Sequence, residues 1–198
     1  TFDQLTILVN GIAINNPQTG HNAADFPLNL ADIERIEVLE GAASRVLGTQ
    51  AFSGAINIVT RQVGPTFYAR AAGGSYGTAQ GEARGLFRHQ FSNGNLFTSS
   101  LSAGYQRSEG AVRNGDFKGG KTFWQGSLDA AQYKVDAQAG YTNTDFGANT
   151  FYSIASTDQW ESTTRYLASV KAETKGKIHI APQISWLRNY DHFQFFRN

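Results

Sequence analysis

The chain has 198 residues, a net charge of +1, 13% aromatic residues and 21 glycines, with neither cysteine nor methionine. That charge balance offers no basic stripe for nucleic acid, and no run approaches the roughly 18 apolar residues of a membrane-crossing helix. The mean hydropathy of −0.36 still allows a transmembrane barrel, whose strands alternate lipid-facing and lumen-facing residues.

From the N-terminus, Leu5-Thr-Ile-Leu-Val-Asn-Gly-Ile-Ala-Ile14 reads as two strand pieces joined at Asn10-Gly11, a strong hairpin signal. Residues 15–30 form a polar loop without periodicity, of a length usually found in functional or disordered segments. His21 within it has no second His or Cys at ligand spacing, which argues for a solvated or ligand-contacting role over a metal. Residues 32–61 form a compact unit of strand, short helix and strand. Ile36 and Val38 alternate with Glu37, which suits a short strand with one buried face. Gly41 stops it, residues 42–47 are mostly helix formers, and Gly48 stands at the C-terminal cap. The run Gly54-Ala-Ile-Asn-Ile-Val-Thr60 is β-branched enough for a buried strand.

The wording Ile33-Glu-Arg-Ile-Glu-Val-Leu-Glu-Gly41, followed by the Ile-Asn-Ile-x-Thr ending at Thr60, resembles the plug domain of TonB-dependent outer-membrane receptors. The family pattern has Arg-Gly-Pro where this chain has Glu40, Gly41 and Ala42. It has Tyr-Gly at Leu47-Gly48, and a glycine pair where Ser53 and Gly54 stand. Asn10 occupies the Asp position of the family's Val-Leu-x-Asp-Gly. The resemblance implies that the loop of residues 15–30 lies at the outward tip of the plug, facing incoming ligand.

Gly64-Pro65 breaks the preceding strand, and from Thr66 the sequence turns to Gly, Ser, Thr, Gln and aromatics in period-two alternation. Residues 133–142 show it best: Tyr133, Val135, Ala137, Ala139 and Tyr141 share one face, and Lys134, Asp136, Gln138, Gly140 and Thr142 the other. A face with Tyr at both ends and small apolar residues between fits a lipid-facing band. Six further strands follow the rule less cleanly, around residues 67–71, 82–91, 97–105, 124–130, 165–173 and 178–186. Leu86 and Leu167 fall on the polar side. Connections at 92–95, 131–132 and 174–177 are expected to be tight. Those at 108–120 and 144–161 should be long, with 75–78 on their side. Arg84, Arg88, Glu82, Lys171 and Glu173 are costly in lipid and should face the lumen.

The predicted fold class is therefore an α+β plug fragment followed by all-β: the first strands, about seven, of a large transmembrane antiparallel barrel. Such receptors have about 22 strands around a plugged lumen. The expected boundaries are 1–61 for the C-terminal part of the plug, 62–65 for a linker and 66–198 for the start of the barrel. The upstream peptide that engages TonB would precede Thr1.

No enzyme constellation is present: no P-loop, Gly-x-Ser-x-Gly or His-Glu-x-x-His. By resemblance the function is active uptake of a large scarce nutrient across the outer membrane of a Gram-negative bacterium. The wording of residues 16–22 and of the loop after Asp145 is similar to receptors near the vitamin B12 (cobalamin) transporters of Bacteroidetes. A ferric siderophore or haem is the alternative ligand, and a passive porin or adhesin barrel the alternative class. Expected ligand contacts are Gln18, His21, Asn22 and Asp25 in the plug loop, Thr49 and Gln50 at an apical turn, and Phe146, Phe151, Tyr152 and Trp160 in an aromatic loop. Asp116, Asp145 and Asp158 are isolated, which argues against calcium. Neither cofactor nor metal is expected. The implied partners are TonB, outer-membrane lipid, a surface lipoprotein and a cobalamin-like or iron-chelate ligand, with no nucleic acid.

Overall fold

The computed structural model describes residues 5–16, 25–41 and 54–197. Two sheets account for nearly all of them. The smaller one has four strands: β1 (Leu5–Val9), β2 (Ile12–Ala13), β3 (Ile33–Glu40) and β4 (Gly54–Thr60), in the order β2-β1-β4-β3. β1 runs parallel to β4, while β2 and β3 are antiparallel to their neighbours. The Asn10-Gly11 turn forms as the sequence demands, with φ of 51° and 82° at the two residues, the left-handed pair that a two-residue hairpin needs. Gly54 has φ of 141°, and a Cβ there would lie 2.5 Å from the Leu39 carbonyl oxygen, so β4 can begin beside β3 only with glycine at this point. A 3-10 turn at Leu30–Asp32 leads into β3. The helix expected at 42–47 lies outside the described residues.

The larger sheet is an antiparallel meander: β5 (Phe67–Gly73), β6 (Ala79–Gln90), β7 (Leu96–Ser108), β8 (Phe117–Asp129), β9 (Tyr133–Gly147), β10 (Trp160–Thr174) and β11 (Gln183–Gln194). The seven expected strands are all present, and several are longer than the alternation suggested. β9 and β10 reach 15 residues each, although 9–11 residues suffice to cross a bilayer. β8, β9 and β10 extend into the segments expected to be loop, shortening the connections there to 109–116 and 148–159. Loop wording hid this extension, because Gly, Asn and Thr there continue the ladder.

Two expectations are corrected at the other end. The connection from β10 to β11 is not a tight turn at 174–177 but spans 175–182. Ile178 and Ile180 belong to it, and the Thr174 hydroxyl ties it by donating to the Ile178 carbonyl at 2.7 Å and accepting from the Ile180 amide at 2.9 Å. Pro182 just before β11 explains the delay, since it cannot donate to the ladder.

The buried face expected for β3 is also corrected. Ile36 and Val38 are 58% and 66% exposed. They lie on the same side as Ile58 by register, but β3 is an edge strand and nothing among the described residues covers them.

The small sheet packs on one face of the large one. The core joins Ile7, Val9, Ile12 and Ile58 of the former to Phe123 and Leu167 of the latter. Phe123 and Leu167 break the apolar-polar alternation because the inner face of the wall carries an apolar patch where the small sheet rests, and Leu86 lies on the same inner face. All three are buried.

Candidate functional site

The junction between the two sheets is mostly polar and is built around residues 25–32 and the ends of β1 and β4. Asp25 leads, its carboxylate accepting from Thr163 at 2.8 Å, Thr142 at 3.3 Å and Thr144 at 3.4 Å. Phe26 follows, with Lys121 Nζ 5.5 Å from its ring centroid. Pro27 then sits against Gly140, where a Cβ would come within 2.6 Å of its Cγ. Asn29 donates to the Ser102 hydroxyl at 2.9 Å and lies over Gly104, where a Cβ would be 2.1 Å from its side-chain oxygen. The two wall glycines thus form the recesses that receive this strap.

Asp32 closes it. The carboxylate accepts from the Asn29 amide at 2.9 Å and from Ser102 at 2.6 Å, and lies 3.7 Å from Arg84 Nε. Both charged side chains are almost wholly buried, at 1% and 2% exposure. Burial outweighs the hydrogen bonds and the nearby guanidinium, so the Asp32 carboxyl is raised above its ordinary value. Arg84 also donates to the Arg61 carbonyl at 2.6 Å, an oxygen it shares with Gln125 at 2.5 Å.

The hairpin tip completes the junction. Asn10 donates to Gln138 at 2.6 Å and to Thr60 at 2.8 Å. The step from Asp to Asn noted in the sequence therefore has a consequence, since a carboxylate could not donate to Gln138. On β3, Arg35 pairs with Glu34 at 3.2 Å and Glu37 at 2.7 Å. The hydrogen bond from Asn57, with Arg35 second, holds Glu37 below the usual carboxylate range. Both acids thus serve ion pairs within β3.

Beside the strap lies a cavity of about 430 Å³ between Phe26, Leu28 and Ile33 on one side and Gln80, Glu82 and Lys121 on the other. Above it the long connections interlock. Asn114, at φ of 54°, donates to the Thr157 carbonyl at 2.9 Å and the Gln159 carbonyl at 2.7 Å. Asn149 donates to the Arg113 carbonyl at 2.6 Å. Arg197 forks onto Asp116, at 2.5 and 2.9 Å, which depresses the Asp116 carboxyl.

The ten ligand-contact residues named from the sequence divide as follows. Gln18, His21, Asn22, Thr49 and Gln50 lie outside the described residues. Asp25 is bound to the wall. Phe146, Phe151 and Tyr152 form an edge-to-face series with centroid distances of 6.1 and 4.9 Å, extended by Phe193 at 5.5 Å. Tyr152 donates to Glu161; burial first, then that carboxylate, pushes the phenol well above the usual tyrosine range. Trp160 pairs with His192 at 5.7 Å, in register with Gly147 and so one position off the row of Glu161 and Phe146. It lies on the opposite face of the sheet. Sequence reasoning missed Asn10, Phe26, Ser102, Lys121 and Gln125 as junction residues. The one signal for them was the set of large apolar residues out of phase beside Gln125 and Arg84.

The architecture is a small mixed sheet seated on the polar face of a long antiparallel wall, and residues 2–55 match the family model for the TonB-dependent Receptor Plug Domain. Over 108 residues the chain is 30% identical to the vitamin B12 transporter BtuB of Vibrio vulnificus (strain CMCP6), covering 54% of this chain and 17% of that protein. Among solved structures it is similar to the siderophore receptor PiuA from Acinetobacter baumannii, with a TM-score of 0.71 and 14% identity over 95% of this chain and 29% of that one. The siderophore receptor PirA from Pseudomonas aeruginosa gives a TM-score of 0.59 and 19% identity, over 96% of this chain and 34% of that one. The chain thus spans a third or less of the length of most of these relatives. At such identities the two structures speak for the fold alone.

Proposed function

We propose that this chain forms the plug and first barrel strands of an outer-membrane transporter that takes up a large, scarce nutrient by TonB-dependent displacement of the plug. The observation that carries this reading is the polar junction. The contacts from Asn10, Asp25, Asn29 and Asp32 to the wall are hydrogen bonds and one ion pair, which water can replace when the plug moves. An apolar junction of the same size would resist displacement far more strongly. The domain limits 1–61, 62–65 and 66–198 follow, with the first as plug, the second as linker and the third as wall.

Cobalamin is the ligand this reading favours, because the sequence likeness to a vitamin B12 transporter runs over half the chain. The Bacteroidetes branch is carried by loop wording alone. The plug-loop residues Gln18, His21, Asn22 and Asp25, the turn at Thr49 and Gln50, and the aromatics Phe146, Phe151 and Tyr152 are assigned to ligand capture; Trp160, on the opposite face of the sheet, is left out of the site. The test is cobalamin binding to the full-length receptor with Gln18, His21 and Asn22 together replaced by Ala. Loss of several hydrogen bonds at about 0.5–1.5 kcal/mol each weakens affinity at least roughly tenfold. Unchanged affinity in the folded variant removes the plug-loop contact, and no cobalamin binding by the parent removes the ligand.

A further inference from the structure

Lys121 is a cation of the inner face that the junction leaves without a direct partner. In register with Gly104 and Thr142, it projects to the side that holds the small sheet. It makes no hydrogen bond or ion pair among the described residues, and its Nζ stands instead 5.5 Å from the centroid of the Phe26 ring. Asp25 is the carboxylate whose charge reaches it, but that group is already taken up by three threonine hydroxyls. Glu82, in the same row, turns to the other end of the strap, where it accepts from the Ala31 amide at 3.5 Å and acts on Asp32. A half-buried ammonium without a hydrogen-bond acceptor is costly.

The cavity beside it shows the opposite anomaly. Leu30 and Ile36 are exposed, yet both line the same space of about 430 Å³ together with Phe26, Leu28 and Ile33. Apolar side chains gathered on one wall of a concave site mark a place for an apolar body. On the polar side Gln106 stands in register with Gly119, two residues along β8 from Lys121. The two are therefore diagonal neighbours, about 7–8 Å apart at the backbone. A carboxylate between them can accept from the ammonium with one oxygen and from the Gln106 side-chain amide with the other.

We propose that this cavity binds a small carboxylate with a compact apolar body, an arylalkanoate in size and shape. Its head lies on Lys121 and Gln106, and its body against Leu28, Ile33 and Ile36. One such occupant satisfies both the ammonium and the exposed apolar wall, which neither a neutral apolar molecule nor a bare anion does. Leu28 and Ile33 belong to the strap and β3, whereas Lys121 and Gln106 belong to the wall, so the occupant ties the two sheets together. None of the lining residues is among those assigned to nutrient capture, and the site is independent of which nutrient the receptor carries.

The test is calorimetric titration of the full-length receptor in nanodiscs with 3-phenylpropionate and with its neutral isostere 3-phenylpropanol, empty nanodiscs serving as the blank. The acid is expected to bind at least roughly tenfold more tightly than the alcohol, the usual worth of a hydrogen bond to a charged group. Lys121→Met keeps the apolar stem and should remove that preference, weakening the acid about tenfold and leaving the alcohol unchanged. Ile36→Asp, at an exposed edge position, should weaken both probes. Lys118→Gln, on the outward face of β8 by register, should change neither. Hydrogen exchange of residues 26–33 should slow when the acid is bound.

Equal affinity for acid and alcohol, or unchanged acid affinity in folded K121M, overturns the carboxylate site. Should K121M not fold, the acid-over-alcohol preference of the parent and the loss in I36D carry the same test. Unchanged binding in I36D overturns the placement of the apolar body. A folded receptor that binds neither probe overturns the site altogether, whereas failure of cobalamin binding leaves it standing.

Discussion

Arg84→Met is the sharpest perturbation of the plug junction. It removes the wall-side guanidinium but keeps its apolar stem, and leaves the Asp32 carboxylate buried with only the Asn29 amide and Ser102 as donors. Removing one partner of a buried pair typically costs about 3–5 kcal/mol, because the other charge stays uncompensated. Gln125 still donates to the Arg61 carbonyl, so loss of that contact adds little. Replacing both partners, as D32N/R84M, should recover most of the loss, since a neutral pair avoids the desolvation that already raises the Asp32 carboxyl.

The pH dependence has a definite sign. A carboxyl raised in the folded state contributes its stability below its unfolded value near 3.9 and loses it as pH rises through the folded value. Without Arg84 that folded value climbs further, so the deficit of R84M should be larger at pH 8 than at pH 5. The assay is urea-induced release of the plug in vesicle-embedded full-length receptor, followed by hydrogen exchange of residues 29–33. A deficit under about 0.5 kcal/mol, within the range of ordinary surface changes, or a double variant no better than R84M, would refute the reasoning.

Gly140→Val should unseat the strap, because its Cβ already falls within 2.9 Å of two Pro27 atoms. A cost of about 1–3 kcal/mol should appear as faster exchange of residues 25–30. Asn114→Ala removes two donors to the 148–159 connection from a residue at positive φ; exchange in that connection should rise while the strand ladder stays protected. The Asp116–Arg197 clamp holds a depressed carboxyl, so its contribution is present above the unfolded value and is lost as pH falls below about 4. Acid should therefore loosen the 109–116 connection in the parent and change little in Arg197→Gln. Ala137→Arg, in the middle of the outward band, should cost about 2–4 kcal/mol in a bilayer, measured by unfolding from vesicles.

Much of this fold can be read from the sequence because strand periodicity is local. Residues 133–142 announce their two faces, and Asn10-Gly11 announces its turn. The junction is less legible, for a physical reason. Whether Asp25 or Asn29 meets a ligand or a wall depends on Thr163 and Ser102, which are 138 and 73 residues away. A glycine at 104 or 140 reads as a strand weakness until the strap is seen filling the space. Ile36 and Val38 show the reverse failure: alternation signals an apolar face, but edge position decides whether anything described covers it.

The central claim is that the wall is two-sided, with lipid on one face and the plug on the other. Single spin labels at Ala137 and Gln138, adjacent on β9, test it in the full-length receptor in vesicles. Gln138 is buried beneath Asn10, whereas Ala137 shares the outward face with Tyr133 and Tyr141. The account predicts strong relaxation of the Ala137 label by oxygen dissolved in the bilayer and shielding of the Gln138 label. Equal relaxation at the two positions would contradict it.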